Sequence, residues 1–386
     1  MSHNLNDSTA YRKEKKRRSN LHKLLAIAVA ILGIFLIWTF RGVMFEPFRG
    51  IVSRINPRTG GEGFPIVLSG SAGYAMNLFD SNFLLLSDTY LYTYNYRGGQ
   101  MLAHRHHYNA PRQRSTNRRI LLYNFNAHEF SLFSRTGRVY EVKLDERIIL
   151  AELGSSDMVA AVTVSAAFSN RLHIYDRSGR RRYTRWFTDE EVNAVAFTSK
   201  NNEIIAATST VRNGDVISKI YRLRTDTEDD LIWERELPFG AWALQVSENG
   251  NYITVLADNA VMSFNSSDGE PAGSYRFDAG RLVKDVYGTE FNLIELRDYA
   301  TGKTLFVTLD AQSNLIKSEI MPFEAKQVEI SGGIVYTLTG GTIEKHDMFL
   351  NPVGVTELGD EYRGFIIAGN YALLLGYETI ERFALE

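Results

Sequence analysis

Leu91-Tyr92-Thr93-Tyr94-Asn95-Tyr96-Arg97-Gly98 decides the fold. An apolar and aromatic strand end runs into an Asn turn and then a Gly. That is the chemistry of a tight reversal between two strands. The phrase returns as Phe130-Ser131-Leu132-Phe133-Ser134-Arg135-Thr136-Gly137 and as Leu172-His173-Ile174-Tyr175-Asp176-Arg177-Ser178-Gly179. A fourth copy, with one extra residue, is Ala260-Val261-Met262-Ser263-Phe264-Asn265-Ser266-Ser267-Asp268-Gly269. Weaker copies end at Leu223, Leu309, His346 and Phe383. The anchors 94, 133, 175, 223, 264, 309, 346 and 383 are spaced by 37 to 48 residues. A four-stranded propeller unit takes about 40–45 residues.

Such a unit is a small twisted sheet that cannot bury both faces alone, so units stack around an axis. The sequence therefore predicts an all-β domain, a β-propeller of eight blades. Seven blades is the runner-up, because the copies at 309 and 346 are degenerate. A two-sheet sandwich array is the third arrangement that periodic strands allow. Apolar runs upstream of the anchors, such as Ile120–Tyr123 and Met158–Val162, are expected to be among the two inner strands of each unit, the one near the axis being almost continuously apolar. Phe365–Ala368, Tyr371–Leu375 and Ile380–Leu385 give three strands of a last unit. Phe64-Pro65-Ile66-Val67-Leu68-Ser69 is expected to supply its fourth strand and remove an open edge.

Outward from the repeats, the N-terminal part reads differently. Leu24 to Phe40 is LLAIAVAILGIFLIWTF, seventeen residues without a charge. At ~1.5 Å per residue it spans ~25 Å, and Val43, Met44 and Phe45 extend it toward the ~30 Å of a hydrocarbon core. Lys15, Lys16, Arg17, Arg18 and Lys23 flank it on one side, and Trp38 sits at its far end as an interfacial aromatic. The expected layout is a basic cytoplasmic tail (1–23), a single transmembrane helix (24–45) acting as an uncleaved signal anchor, a linker (46–62) and an extracytoplasmic propeller (63–386). No small-residue cleavage site follows the apolar run. The lipid bilayer is thus the first expected partner, and the cell membrane the expected location.

Composition narrows the chemistry. The 386 residues include no cysteine, which excludes a disulfide framework, thiolate metal sites and a cysteine nucleophile. The net charge of −2 divides into +5 on residues 1–23 and −7 on residues 41–386. Nucleic acid is not an expected partner for such a domain outside the membrane.

The phrases Leu91-Tyr92-Thr93-Tyr94-Asn95 with Gly98-Gly99, and Ile174-Tyr175-Asp176-Arg177-Ser178-Gly179-Arg180, resemble the repeat of quinoprotein-like and WD-like propellers. The layout of basic tail, one span and outer propeller resembles an uncharacterised family of bacterial single-pass membrane proteins. The resemblance implies a fold and a location, and no activity. Quinone-dependent relatives stack their cofactor on an adjacent-cysteine disulfide. With no cysteine here, no cofactor is expected.

Several local clusters are candidates for function. His104 and His106 in HRHHY share a strand face and form a weak metal candidate. Arg112, Arg114, Arg118 and Arg119 form one basic cluster, expected mostly in an inter-blade loop. Arg180, Arg181 and Arg182, with Arg177 and Arg185, form another in a strand turn. Both are candidates for binding an anionic envelope polymer. Asp226, Glu228, Asp229 and Asp230 read as a solvated hairpin tip. Asp157, Asp189, Asp285 and Asp360 are candidate acids of a central funnel. Hydrolase, zincin, Walker and dinucleotide motifs do not occur. The expected role is a membrane-tethered binding or scaffold module for an envelope protein or polymer. The alternative is a hydrolase or lyase using funnel carboxylates.

Overall fold

The computed structural model describes residues 63–68, 73–80, 82–200, 202–227, 229–238, 240–359 and 361–385. The basic tail, the predicted span with Trp38 and the linker lie outside the described residues. So do Glu228 and Asp360. Among the described residues no helix is long and apolar enough to cross a membrane. Every regular element among the described residues is a strand.

Strand β1 (Ile66–Val67) stands apart from its sheet in sequence. β2 (Ala75–Phe79), β3 (Asn82–Leu86), β4 (Tyr90–Asn95) and β5 (Gln100–Arg105) form the first meander. β6 (Pro111–Ser115), β7 (Ile120–Asn124), β8 (Ala127–Phe133), β9 (Arg138–Leu153), β10 (Val159–Val164), β11 (Asn170–Tyr175) and β12 (Arg181–Phe187) form one seven-stranded sheet. β13 (Glu191–Phe197), β14 (Glu203–Arg212), β15 (Asp215–Arg224) and β16 (Leu231–Glu236) follow. Then come β17 (Ala243–Asn249), β18 (Tyr252–Ala257), β19 (Ala260–Asn265) and β20 (Pro271–Arg276). The next sheet is β21 (Gly280–Tyr287), β22 (Asn292–Asp298), β23 (Thr304–Leu309) and β24 (Leu315–Ile320). After it come β25 (Gln327–Ser331), β26 (Ile334–Leu338), β27 (Thr342–His346) and β28 (Pro352–Glu357). The last sheet joins β29 (Gly364–Ala368), β30 (Tyr371–Leu375) and β31 (Thr379–Ala384) to β1.

First strands of successive sheets approach one another. β9 and β17 flank β13, β21 and β29 flank β25, and β29 meets β2. The last contact closes the ring. Ile66 pairs with Ile380 and Val67 with Thr379, so the N-terminal strand supplies the fourth strand of the final sheet, as the sequence predicts. The seven-stranded sheet is two meanders sharing β9. The N-terminal half of β9 pairs with β8, and its C-terminal half pairs with β10.

All eight sequence anchors fall on third strands: Tyr94 on β4, Phe133 on β8, Tyr175 on β11, Leu223 on β15, Phe264 on β19, Leu309 on β23, His346 on β27 and Phe383 on β31. At the first seven the ladder slips by one residue. The following turn explains why. Asp176 Oδ1 accepts the Ser178 and Arg180 N–H groups, and Gly179, at φ +81°, donates to the Asp176 carbonyl. This is a tight turn with a bulge that needs a left-handed residue. Asn95 and Gly98 repeat it. So do Asp310 with Ser313 and Asp347 with Leu350, where non-glycine residues accept φ +62°.

The core lies between sheets. Ile205, Ile220 and Trp233 of one sheet pack on Val246, Ile253, Val255 and Met262 of the next. Burying each large apolar side chain contributes ~1.5–3 kcal/mol, so stacking holds the ring together. One expectation is corrected here. Ile120–Tyr123 and Val159–Val162 are inner, on the second strands β7 and β10 with neighbours on both edges and both faces, but the strand near the axis is not always the apolar one. Most first strands, nearest the axis, are mixed in polarity, as expected where one face meets solvent, whereas β29 reads Gly-Phe-Ile-Ile-Ala and is almost wholly buried. β6 reads Pro-Arg-Gln-Arg-Ser.

Candidate binding face

In each meander the turn after the first strand and the turn after the third lie at one end of the sheet. At that end β6, β9, β13, β17 and the turns that follow them enclose a cavity of about 770 Å³.

Its walls owe their character to bulges. On β13, Val192 pairs with Thr208 and Ala194 with Ala207, leaving Asn193 as an extra residue. The same slip makes Ile149 extra on β9, Leu244 on β17 and Val283 on β21. An inserted residue breaks the in–out alternation and re-aims a side chain. Leu244 and Gln245 are consequently both exposed, Leu244 by 45%.

Charge in the cavity is paired. Arg114 Nε lies 2.8 Å from Glu152 Oε2, bridging β6 and β9. Burial lifts the Glu152 carboxyl above the usual range, against the pull of Arg114. Glu248 accepts the Ser199 N–H at 2.5 Å and the Ser266 hydroxyl at 2.7 Å. Asn193 donates to the Ser209 hydroxyl. The wall thus offers one satisfied ion pair, several amides and hydroxyls, and the aliphatic Leu150 and Leu244. Such a surface suits hydrogen bonding to a neutral polar chain with an apolar branch.

The structure redistributes the sequence candidates. The first basic cluster sits on β6 and its turn, and not in an inter-blade loop. Arg112 stacks on Phe125 at 3.9 Å, Arg114 holds Glu152, and Arg118 and Arg119 both bind the buried Asp157. Arg180 and Arg182 flank Asp176 at the β11–β12 turn, and Arg181 is exposed. Burial opposes the Asp176 carboxylate, but hydrogen bonds from Ser178, Arg182 and Arg180 outweigh it and hold the carboxyl well below the usual range. Arg114, Arg118 and Arg119 lie at the same end of the sheet as Arg180, Arg181 and Arg182, whereas Arg112, stacked on Phe125 of the β7–β8 turn, lies toward the other end.

His104 and His106 do not converge on a common centre. His104 packs against Phe133 at 4.8 Å, while a ring nitrogen of the buried His106 lies 3.1 Å from the Ser87 carbonyl. Burial lowers the pKa of both. Among the described residues no group of three or more His, Asp or Glu is placed to hold a metal. In the acidic turn Asp226 and Asp229 are exposed to solvent, while Asp230 at its base is half-buried and acts as a clamp. Asp230 takes both Tyr183 and Arg185 of the neighbouring sheet, and Asp226 takes Asn202.

The funnel acids divide. Asp157 is neutralised in a turn, Asp189 lies between β12 and β13, and Asp285 stands on the first strand β21. Glu329 on β25 is an axial acid that sequence reasoning missed. Burial raises the pKa of both Asp285 and Glu329, with Lys284 opposing it. Glu152, Gln245, Glu248 and Leu244 were missed too. The alternating polar residues of the first strands were the available signal.

A closed ring of antiparallel meanders, sealed by its N-terminal strand, defines a β-propeller. The chain belongs to the DUF5711 family, a family of unknown function, whose profile matches residues 66–349. The computationally designed Ika8 protein is similar at TM-score 0.61 and 12% identity, over 83% of this chain and 98% of that one. BamB from Moraxella catarrhalis is similar at TM-score 0.55 and 9% identity, over 83% and 98%. Saccharomyces cerevisiae Sqt1 is similar at TM-score 0.60 and 7% identity, over 84% and 99%. These likenesses show the fold. No curated protein matches the sequence.

Proposed function

We propose that this chain is a membrane-tethered, eight-bladed propeller that acts as a binding or scaffold module outside the membrane. The blade count takes the seven-stranded sheet as two blades joined through β9. It accords with eight anchors on eight third strands. The tether is residues 24–45, with the basic tail 1–23 in the cytoplasm.

The observation that carries the reading is the cavity of about 770 Å³ at the first-strand ends. Its satisfied Arg114–Glu152 pair and its amide and hydroxyl walls favour a protein segment as occupant. Interaction scaffolds are a common use of propellers, which adds an analogy of fold. Anionic envelope polymer is the second ligand class. Arg112, Arg114, Arg118, Arg119, Arg180, Arg181 and Arg182 are its candidate contacts. Arg112 and Arg181 carry no ion pair among the described residues.

A photocrosslinking amino acid at Gln245, used in cells, tests the reading. A reproducible protein adduct from Gln245, and none from the exposed Val211 at the opposite end, is the expected result. Adducts equal at both positions, or none at either, would overturn it. Glu152, Asp285 and Glu329, with raised carboxyl pKa values on first strands, are the residues to replace if the hydrolase alternative is pursued.

A further inference from the structure

A second cavity, of about 570 Å³, opens where the last sheet meets the first. Leu78, Ile367, Ala368, Leu373 and the rings of Tyr96 and Tyr371 line it, with Arg382 and Asp80 as its charged residues. Asp80 is already held by Arg135 at 2.5 Å. Arg382 is different. Its guanidinium lies 4.8 Å from the Tyr371 ring and 5.5 Å from the Phe64 ring. Its one hydrogen bond to a described residue is a long one, 3.4 Å, to the Tyr96 carbonyl. No carboxylate among the described residues pairs with it.

A guanidinium fork has five donors and matches a carboxylate bidentately. Two ring faces within 5.5 Å restrict it, which lowers the freedom to be lost on binding. The cavity therefore presents a cation that no described carboxylate pairs with, over an aliphatic and aromatic floor. At its rim are the exposed Asn370 amide, Ser331 and the open backbone of Gly369. An anion with an apolar body fits the floor and the cation, and the rim groups suit an amide next to it.

We infer that this pocket takes the carboxyl-terminal residue of a peptide, with its apolar side chain on the Leu78–Leu373 floor and its carboxylate on Arg382. The site shares no lining residue with the first cavity and stands whichever side of a membrane the domain occupies.

Fluorescence anisotropy with the full-length chain tests it. The probe is an N-terminally labelled Gly-Gly-Ser-Ala-Xaa peptide with Leu, Val, Phe or Tyr last, compared with its carboxamide. A charge-assisted bidentate contact predicts that the acid form binds about tenfold tighter than the amide. Arg382→Gln should erase that preference, and Leu78→Glu, which sets a carboxylate in the cavity, should abolish binding. Arg382 is exposed, so the first variant should keep the parent thermal midpoint. Equal binding of acid and amide overturns the inference. So does unchanged preference in Arg382→Gln, absence of saturable binding for all four ends, or binding only to a chain ending at Leu385.

Discussion

Ile66 pairs with Ile380, and both side chains lie in one apolar cluster with Phe83 of the first sheet and Leu373 of the last. One residue near the start of the domain thus closes the ring laterally and vertically. Ile66→Ala should cost about 2–5 kcal/mol, the range for a buried aliphatic truncation. A chain beginning at Tyr74 should lose far more, because it exposes the edge of β31. Urea unfolding with size-exclusion chromatography checks both. A Tyr74 start that unfolds at the parent midpoint would refute the closure argument.

The turn glycines should separate by geometry. Gly179 and Gly269 have φ of +81° and +73°, and a Cβ would meet the Tyr140 ring at 2.9 Å and the Trp233 ring at 2.7 Å. Their alanine variants should each lose about 1–3 kcal/mol. Gly137 occupies the analogous place without a positive φ, and nothing lies within 4 Å of an added Cβ. Its alanine variant should be neutral within ~0.5 kcal/mol. Denaturant midpoints for the three variants give the comparison.

The same turns show how much of the fold was legible. Asn95, Asp176 and Gly179 announce their reversal, because only such side chains cap the N–H groups and accept a left-handed backbone. At Ser313 and Leu350 the geometry is retained without glycine. Ser313 is buried on Ser263, and Leu350 in the cluster with Phe291 and Phe306. Tertiary packing supplies there what local chemistry supplies elsewhere, so those copies read as degenerate. The axial wall was less legible. Which strand faces the channel is decided by stacking, and an apolar run such as Ile120–Tyr123 marks the second strand, paired on both edges. The Arg382 pocket was invisible, since Leu78, Tyr96, Tyr371 and Arg382 meet only when the ring closes.

His173 should tune stability with pH. Its ring nitrogens lie 3.0 Å from the Thr184 hydroxyl and 3.4 Å from the Thr163 hydroxyl. Burial, with Arg181 and Arg171 against Glu146, lowers its pKa from 6.5 to about 4. The unfolded chain therefore takes up the proton first as pH falls. The stabilisation is full above pH 6.5 and drains toward pH 4, about 3 kcal/mol in all. Glu152, Asp285 and Glu329, raised in the fold, act in the opposite sense and lose their contribution as pH rises. The difference between wild type and His173→Gln isolates the histidine. It should shrink in favour of wild type between pH 6.5 and pH 4. A pH-independent difference in unfolding free energy would refute the assignment.

The proposed topology has a clean readout, because the chain contains no cysteine. Ser2→Cys and Tyr377→Cys each place a single thiol, and Tyr377 is 72% exposed. A membrane-impermeant maleimide applied to intact cells should label position 377 and not position 2. Labelling of both, or of position 2 alone, would overturn the tethered, outward placement.

Strand β9 runs sixteen residues and serves two meanders without a break. Among the described residues the other connections between successive repeats are irregular, so a repeat could be lost or copied by recombination with little damage at the seams. At β9 there is no seam. The two repeats that share it must be inherited together, and lineages that vary the number of repeats should vary it elsewhere in the ring.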